Sequence, residues 1–270
     1  MKIAFIGGGN MAAALIGGLV KRGTAASELY AIDPNEDARA RIHAQFGVKT
    51  GAAADTALRD YDAIVLAVKP QVMKSVAAAL APQLATQLVV SIAAGIRGSD
   101  IARWLDGYTR IVRAMPNTPA LIGMGVTGLV ALPGVDAAGR SLASDVLGAV
   151  GDTVWFDDEA KIDAVTAISG SGPAYVFYFI EALQEAARQL GLGDEEGRAL
   201  ALATFAGAAQ LAVQSDEAAS VLRERVTSKG GTTAAALASF EAQGVKAAIV
   251  KGVLAADARA KEMGDELGKQ

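Results

Sequence analysis

The feature that most constrains the fold is the passage from an apolar strand to a glycine turn and a helix at the start of the chain. Lys2–Ile6 is a short apolar run, and the GGGNMA sequence of Gly7–Ala12 follows it and opens a helical pattern. Gly7 permits a tight turn, Gly9 lets the backbone approach a pyrophosphate, and Ala12 lets helix and strand pack closely. The helix N-terminus then faces the anion. The sequence predicts a dinucleotide site on a βαβ unit, with a purely structural turn as the alternative.

The first half of the chain continues this alternation of strands and helices. Short, continuously apolar runs alternate with helical patterns as far as Phe156, which is typical of βαβ units feeding a parallel sheet that is buried on both faces. After Asp157 the strand signals stop and alanine-rich helical patterns follow. The predicted fold is therefore α/β, with a dinucleotide-binding domain at residues 1–157 and an all-helical domain at residues 158–270. The expected strands are Lys2–Ile6, Leu29–Asp33, Ala63–Val68, Leu88–Ile92, Arg110–Arg113, Gly125–Leu132 and Asp152–Phe156.

The helical domain carries more apolar surface than it can bury alone. A helix is expected at Pro173–Leu190, with one apolar stripe and a charged face opposite. The next helical pattern, Ala199–Val213, has apolar or small residues on every side. A small helical domain cannot bury such a helix by itself, so the sequence predicts a dimer built through this domain.

Composition excludes several classes of function. A net charge of -4, without a lysine–arginine run, provides no basic face for a nucleic-acid backbone. No apolar stretch reaches the roughly 18 residues that span a bilayer. With no cysteine and a single histidine, His43, disulfides, thiolate nucleophiles and multi-histidine metal sites are excluded. We expect a cytoplasmic protein that has no secretory signal and binds no metal, nucleic acid or membrane.

Residues at the ends of two strands bear on the choice of cofactor. Asp33 can accept hydrogen bonds from the adenosine ribose diol and would repel a 2′-phosphate, which favours NADH. Asn35 and Arg39 lie just beyond and can receive a 2′-phosphate, so NADH and NADPH both stay open. Asp33 has an alternative role as a turn cap before Pro34. Ala67–Pro70 ends another strand at the same carboxyl edge, where backbone contact with the cofactor is expected.

Two other side chains, Lys69 and Asn117, have competing interpretations, whereas His43 has one. Lys69 is either a general acid or, more commonly for a lysine at a strand end, a solvated charge. Asn117, between Pro116 and Pro119, either orients the cofactor or substrate with its amide or stiffens its loop. His43 is expected on a solvated helix face, remote from any reaction.

Four motifs in order give the chain a resemblance to a known family. IGGGNM forms the first turn, and it is followed by RAMPNTPA at Arg113–Ala120, ISGSGPAY at Ile168–Tyr175 and TSKGGTT at Thr227–Thr233. With VVSIAAG at Val89–Gly95, these motifs resemble pyrroline-5-carboxylate reductases over essentially the whole chain. The resemblance implies NADPH- or NADH-dependent reduction of 1-pyrroline-5-carboxylate to L-proline, the last step of proline biosynthesis.

The resemblance also implies an architecture and a set of site residues. It implies a Rossmann domain, a helical dimerisation domain that interlocks with a partner's, an active site between the two domains, and a homodimer or a larger homo-oligomer of dimers. Thr233 occupies the position of the family's substrate threonine and is assigned the catalytic role. Lys229 departs from the proline of many members, which leaves the stiffness of its turn open. Cofactor contacts are implied at Ile6, Gly7, Gly8, Gly9, Asn10, Met11, Ala67, Val68, Lys69 and Pro70, and substrate contacts at Ser169, Ser171, Gly230, Gly231, Thr232 and Thr233.

The implied reaction needs few titratable side chains. A hydride goes to the imine carbon, and the nitrogen can arrive already protonated from water. Gly230–Thr233 offers backbone N–H groups to the substrate carboxylate at an expected helix N-terminus, and Thr233 can also contact the ring nitrogen. Ser169 and Ser171 precede Pro173 at another expected helix start, where they either orient the ring or the nicotinamide or cap the helix. Catalysis then rests mainly on positioning.

Three other functions fit parts of the sequence. A β-hydroxyacid dehydrogenase shares the glycine loop and a helical second domain, but its characteristic lysine is missing from Tyr175–Ile180. A non-catalytic dinucleotide sensor would bind cofactor without turnover. A reductase of a six-membered cyclic imine would use the same turns, because they recognise a carboxylate without measuring the ring. Ring size, the number of dimers and feedback by proline stay open.

Overall fold

The structure, a computed structural model, describes residues 1–269 and divides by internal contacts into two compact units. The first unit comprises residues 1–171 together with residues 256–269, and the second comprises residues 172–255. The first boundary between the units therefore follows Ser171, whereas the sequence predicted it after Asp157. The difference arises because the helix Lys161–Val165 packs on the sheet of the first unit. The limits of the functional domains stay a prediction.

Eight strands of the described chain form one sheet in the first unit, in the order β3-β2-β1-β4-β5-β6-β7-β8. β6 and β7 pair antiparallel, and the other neighbours pair parallel. The seven expected strands are confirmed with ends shifted by one or two residues. The strands are β1 (Ile3–Ile6), β2 (Leu29–Ile32), β3 (Lys49–Gly51), β4 (Ala63–Leu66), β5 (Leu88–Ser91), β6 (Ile111–Met115), β7 (Gly125–Ala131) and β8 (Gly151–Phe156).

Two features of the sheet depart from the sequence expectation. β3 was not expected, because its three residues are exposed or half-buried and give no apolar run. The antiparallel pairing of β6 and β7 was not expected either. A parallel pair needs a crossover of a dozen or more residues, and the connection at residues 116–124 is shorter than that.

The α-helices of the described chain cover both faces of the sheet and form the whole of the second unit. No helix among residues 1–269 is both long enough and apolar enough to cross a membrane. The helices are α1 (Asn10–Lys21), α2 (Glu36–Phe46), α3 (Met73–Leu80), α4 (Gly98–Trp104), α5 (Ala137–Gly148), α6 (Lys161–Val165), α7 (Gly172–Gln189), α8 (Asp194–Val213), α9 (Ala219–Arg225), α10 (Thr232–Ala242) and α11 (Val245–Gly268).

The sheet separates two apolar cores, and β1 contributes to both. Successive strand residues point to opposite faces, so Ile3 and Phe5 join the core beneath α1 and α5. Ala4 and Ile6 join the core beneath α3 and α4. Burying each large side chain stabilises the fold by about 1.5–3 kcal/mol, which explains why the neighbouring strands β1 and β4 are apolar at every position.

The C-terminal end of α11 completes the second of these cores. Leu267 is buried in the cluster with the α4 residues Ile101 and Trp104. Nearby, Arg97 pairs with Asp265 at 2.5 Å, and the Arg103 guanidinium donates to the Gly268 carbonyl at 2.6 Å. The last turns of the chain are therefore part of the first unit, although the start of the same helix belongs to the second.

A buried arginine joins the sheet to α6. Arg113 on β6 is 2% exposed, and its Nη1 and Nη2 atoms lie 3.3 Å from Glu159 Oε1 and Asp163 Oδ1, respectively. Glu159 Oε1 also accepts the N–H of Gly98 at the start of α4. Among the described atoms, the Arg113 Nε finds no partner. The buried positive charge of the guanidinium is therefore balanced by these two carboxylates.

The second unit exposes large apolar side chains on several helices. On α8, Leu200 and Leu211 are 58% and 57% exposed, and Leu254 on α11 is 62% exposed. α8 packs against α7, where Gly197 faces Ala187. The structure thus agrees with the expectation that Ala199–Val213 is not buried within one chain.

We predict that Arg113→Ala lowers the free energy of unfolding by about 3–5 kcal/mol, because it leaves two carboxylates against the sheet without a counter-charge. Urea unfolding at a fixed protein concentration measures the loss. Arg59→Ala is the matched control, since exposed Arg59 makes one 3.3 Å hydrogen bond to the Pro82 carbonyl. We expect that control to change stability by less than about 0.5 kcal/mol. Equal losses of stability in both variants would contradict the assignment of Arg113 as the counter-charge of the two carboxylates.

Candidate active site

The glycine turn between β1 and α1 packs directly on the end of β4. Gly7 has a φ of +107°, a backbone conformation that residues other than glycine rarely adopt. Its N–H donates to the Ile32 carbonyl at 2.7 Å, and the Ala67 N–H donates to the Ile6 carbonyl at 2.8 Å. A Cβ atom on Gly7 would lie 2.5 Å from the Ala67 carbonyl oxygen. The turn therefore requires glycine at this position, as the sequence predicted.

Two charged side chains hold the peptide groups of Gly8. The Gly8 N–H donates to Asp33 Oδ2 at 2.7 Å, and Arg41 Nη2 donates to the Gly8 carbonyl at 2.8 Å. Asp33 Oδ1 also accepts the N–H of Asn35 at 2.8 Å. Asp33 is therefore a turn cap, which was one of its two interpretations. A carboxylate has about four acceptor positions, so it retains acceptors for ribose hydroxyls.

The residues of this turn fit a dinucleotide. Gly9 precedes α1 in an extended conformation, and no side chain in residues 1–269 caps this helix end. The first-turn N–H groups, which have no acceptor within a helix, thus stay available to an anion. No described heavy atom lies within 4 Å of a Cβ built on Gly9. The absence of a side chain there leaves open space beside the helix N-terminus, where a pyrophosphate fits.

The other expected cofactor residues lie at the same edge of the sheet. Ala67 and Val68 are half-buried next to the glycine turn, and Lys69 is exposed. Arg39 Nη1 donates to the carbonyls of Asp33 and Pro34, at 2.8 and 2.9 Å. These bonds hold its guanidinium at the end of β2, where it was expected for a 2′-phosphate. The structure therefore brings together Ile6, Gly7, Gly8, Gly9, Asn10, Met11, Asp33, Ala67, Val68, Lys69 and Pro70.

The Asn35 and His43 side chains have ordinary structural roles in α2. Asn35 Oδ1 accepts the Ala38 N–H at 3.0 Å and so caps the helix. His43 is exposed and its Nδ1 lies 3.0 Å from the Val48 carbonyl. The expectation of a solvated position for His43 is confirmed.

The serine-glycine motif lies directly before a helix, as expected. Ser171 immediately precedes Gly172, where α7 begins, but Ser169 lies within a π-helical turn, Thr166–Gly170, between α6 and α7. The Ser171 N–H donates to the Thr166 carbonyl at 2.8 Å, five residues back. The Ser169 hydroxyl donates to the Val165 carbonyl at 3.0 Å and caps no helix. Such π-helical turns are often found at functional sites.

Asn117 contacts both β7 and this π-helical turn. Its Oδ1 accepts the Val126 N–H at 2.9 Å, and its Nδ2 donates to the Ser169 carbonyl at 3.1 Å. Asn117 is 9% exposed. Both the oxygen and the nitrogen of its carboxamide therefore have hydrogen-bond partners within the protein.

The second glycine turn lies at a helix N-terminus, as expected. Gly230 has a φ of +72°, Gly231 is the extended residue before α10, and the helix begins at Thr232. No described side chain caps this end. Thr232 is exposed and Thr233 is half-buried. Of the expected substrate residues, Ser169 and Ser171 lie in the first unit, whereas Gly230, Gly231, Thr232 and Thr233 lie in the second.

Sequence reasoning missed Arg41 and the positions of the Arg113 ion pairs. Arg41 was not singled out in the sequence, and its contact with Gly8 depends on the packing of α2 beside the turn. In residues 1–269, no group of three or more histidine, aspartate or glutamate side chains is placed to hold a metal ion.

Comparisons with known proteins cover both parts of the chain. A family model described as pyrroline-5-carboxylate reductase dimerisation matches residues 159–263, and one described as NADP oxidoreductase, coenzyme F420-dependent, matches residues 2–95. A pyrroline-5-carboxylate reductase of Pseudomonas aeruginosa is 48% identical to the chain and aligns with 99% of it and 98% of the relative.

Two solved structures are similar over nearly the full length. A pyrroline-5-carboxylate reductase from Coxiella burnetii has a TM-score of 0.92 and 40% identity, covering 97% of this chain and 98% of the other. A pyrroline carboxylate reductase from Plasmodium falciparum, with NADP bound, has a TM-score of 0.87 and 31% identity, covering 98% of each chain.

We predict that Gly7→Ala weakens NADPH binding at least about tenfold, because the new methyl group collides with the Ala67 carbonyl and displaces the turn. Titration of NADPH fluorescence measures the affinity. Gly23→Ala is the matched control: Gly23 has a similar φ of +97°, but no described atom lies within 4 Å of its Cβ position. Both variants should lose stability, and only Gly7→Ala should lose affinity. Unchanged NADPH binding in Gly7→Ala would contradict the assignment of this turn as the dinucleotide site.

Proposed function

Because the chain belongs to the pyrroline-5-carboxylate reductase family, as the full-length relatives establish, we infer that it reduces 1-pyrroline-5-carboxylate to L-proline with NAD(P)H. It is an oxidoreductase acting on a cyclic C=N bond in proline biosynthesis. The observation that carries this function is near-full-length similarity combined with a glycine turn built for a dinucleotide.

We place the cofactor's pyrophosphate at the N-terminus of α1. The uncapped first turn and the open space at Gly9 support this position. The remaining acceptors of Asp33 are offered to the adenosine ribose, and Arg39 beside it offers donors to a 2′-phosphate. Ala67–Pro70 contributes backbone contacts along the same edge. Both NADPH and NADH are compatible with this arrangement.

The substrate carboxylate binds at the second glycine turn in this proposal. Gly230 and Gly231 carry no side chains, and the N-terminus of α10 has no side-chain cap, so its N–H groups and helix dipole stay available to an anion. Thr233, in the first turn of α10, then places a hydroxyl near the ring nitrogen. Ser169 and Ser171 contribute contacts from the π-helical segment.

The reaction then depends on positioning more than on acid–base catalysis. The reduced nicotinamide supplies a hydride to the imine carbon when it is bound. The chain orients the ring by holding its carboxylate, and the Thr233 hydroxyl stabilises the protonated nitrogen as an acceptor and the product amine as a donor. Exposed Lys69 is not needed for proton transfer, because the imine can be protonated by water.

We also propose a cytoplasmic homodimer, or a larger assembly of such dimers. The exposed apolar side chains of α8 and α11 support burial against a second copy of the chain. The family model for dimerisation, which covers residues 159–263, supports the same surface.

The function is tested by the rate of NADPH and NADH oxidation by purified protein, with and without 1-pyrroline-5-carboxylate. We expect oxidation that depends on this substrate and exceeds that with the six-membered analogue at equal concentration. Cofactor binding without turnover would favour a dinucleotide sensor, and a faster rate with the six-membered ring would reassign the substrate.

We predict that Thr233→Val lowers kcat/KM about tenfold or more and leaves NADPH affinity unchanged, because a hydroxyl is replaced by a methyl group of similar size. Steady-state kinetics and NADPH titration measure the two quantities. Thr233→Ser, which keeps the hydroxyl, should retain most of the activity. Wild-type kinetics in Thr233→Val would remove the hydroxyl from the mechanism.

A further inference from the structure

Alternate residues at the end of β6 contact the helical segment that carries the serine-glycine motif. The Arg113 guanidinium pairs with Glu159 and Asp163 before and within α6. The Met115 side chain packs on Gly170, where a Cβ would lie 2.6 Å from the Met115 Cε. Two residues on, Asn117 reaches the Ser169 carbonyl. This edge of the sheet therefore sets the position of the π-helical turn.

Ser169 has a carbonyl whose usual helical partner is missing from the sequence. In an α-helix the carbonyl of residue 169 accepts the N–H of residue 173, and residue 173 is a proline, which has no N–H. The Asn117 Nδ2 group donates to this carbonyl at 3.1 Å. The Asn117 side chain thus supplies a donor to a carbonyl in the π-helical turn.

The orientation of the Asn117 carboxamide is fixed by its partners. The Val126 N–H is a donor, so the atom that faces it at 2.9 Å must be the amide oxygen. The amide nitrogen then faces the Ser169 carbonyl, which is an acceptor. The Val126 N–H and the Ser169 carbonyl together allow only one orientation of the carboxamide. Because the side chain is buried, losing either hydrogen bond would leave a polar group without a partner and destabilise the fold.

We propose that Asn117 is a positioning residue for the reaction, which holds the π-helical turn, and with it Ser169 and Ser171, in the geometry that the bound substrate requires. This inference rests on the proposed function, because it takes the serine-glycine motif as part of the site. Asn117 touches neither cofactor nor substrate in this role and acts through the Ser169 carbonyl.

Asn117→Asp gives a test that depends on pH. The aspartate keeps an oxygen for the Val126 N–H, but its ionised form places a second acceptor against the Ser169 carbonyl. We expect kcat/KM to fall about ten- to a hundredfold at pH 8. As the pH is lowered through the pKa of the new carboxyl, its protonated form donates the lost hydrogen bond. The ratio of variant to wild-type kcat/KM should therefore rise towards acid pH, and a ratio independent of pH would overturn the proposal.

Hydrogen exchange separates this inference from the proposed function. Mass spectrometry should show faster exchange in peptides covering residues 165–172 of Asn117→Ala than of the wild-type protein, whatever substrate the enzyme reduces. Unchanged exchange together with unchanged kinetics would exclude the positioning role. Failure of the wild-type protein to oxidise NADPH with 1-pyrroline-5-carboxylate would instead count against the proposed function, and the exchange result would still stand.

Discussion

The close approach of Gly7 to the end of β4 is the constraint on which the rest of the site depends. The backbone of the first turn touches the Ala67 carbonyl, with a hydrogen bond from the Ala67 N–H to Ile6 just before it. This contact holds the ends of β1 and β4 together directly before α1. Asp33 and Arg41 then fix the two sides of the Gly8 peptide. A dinucleotide therefore meets a loop whose backbone is already ordered.

The parts of this arrangement that depend on local sequence could be predicted. Continuous apolar runs located seven of the strands, and the glycines of both turns located two helix N-termini. Asp33 could be placed at a strand end, although its bond to Gly8 joins residues 25 positions apart and has no local signal. β3 was missed because a short, partly exposed edge strand is determined by its pairing with β2 and not by its own residues.

Distant packing explains the remaining differences at the site. The serine-glycine motif resembles a helix start, since serine and glycine often precede helices and Pro173 suits a first turn. In the structure α7 does begin at Gly172, but a π-helical turn precedes it, and Asn117 and Met115 contact that turn from a different part of the chain. Asn117 was singled out from its loop, but its two hydrogen bonds could not be foreseen without the positions of Val126 and Ser169. Arg113 similarly has no local sign that its partners lie in and before α6.

The contribution of α11 to the first unit has a consequence for the order in which the protein can fold during synthesis. Residues 1–171 emerge from the ribosome long before residues 256–268, which supply Leu267 to the core beneath α3 and α4. That core stays incomplete until residues 256–268 have been synthesised, and until then Ile96 and Ile101 lack Leu267 as a member of their cluster. The nascent first unit is therefore a natural client for chaperones that shield apolar surface.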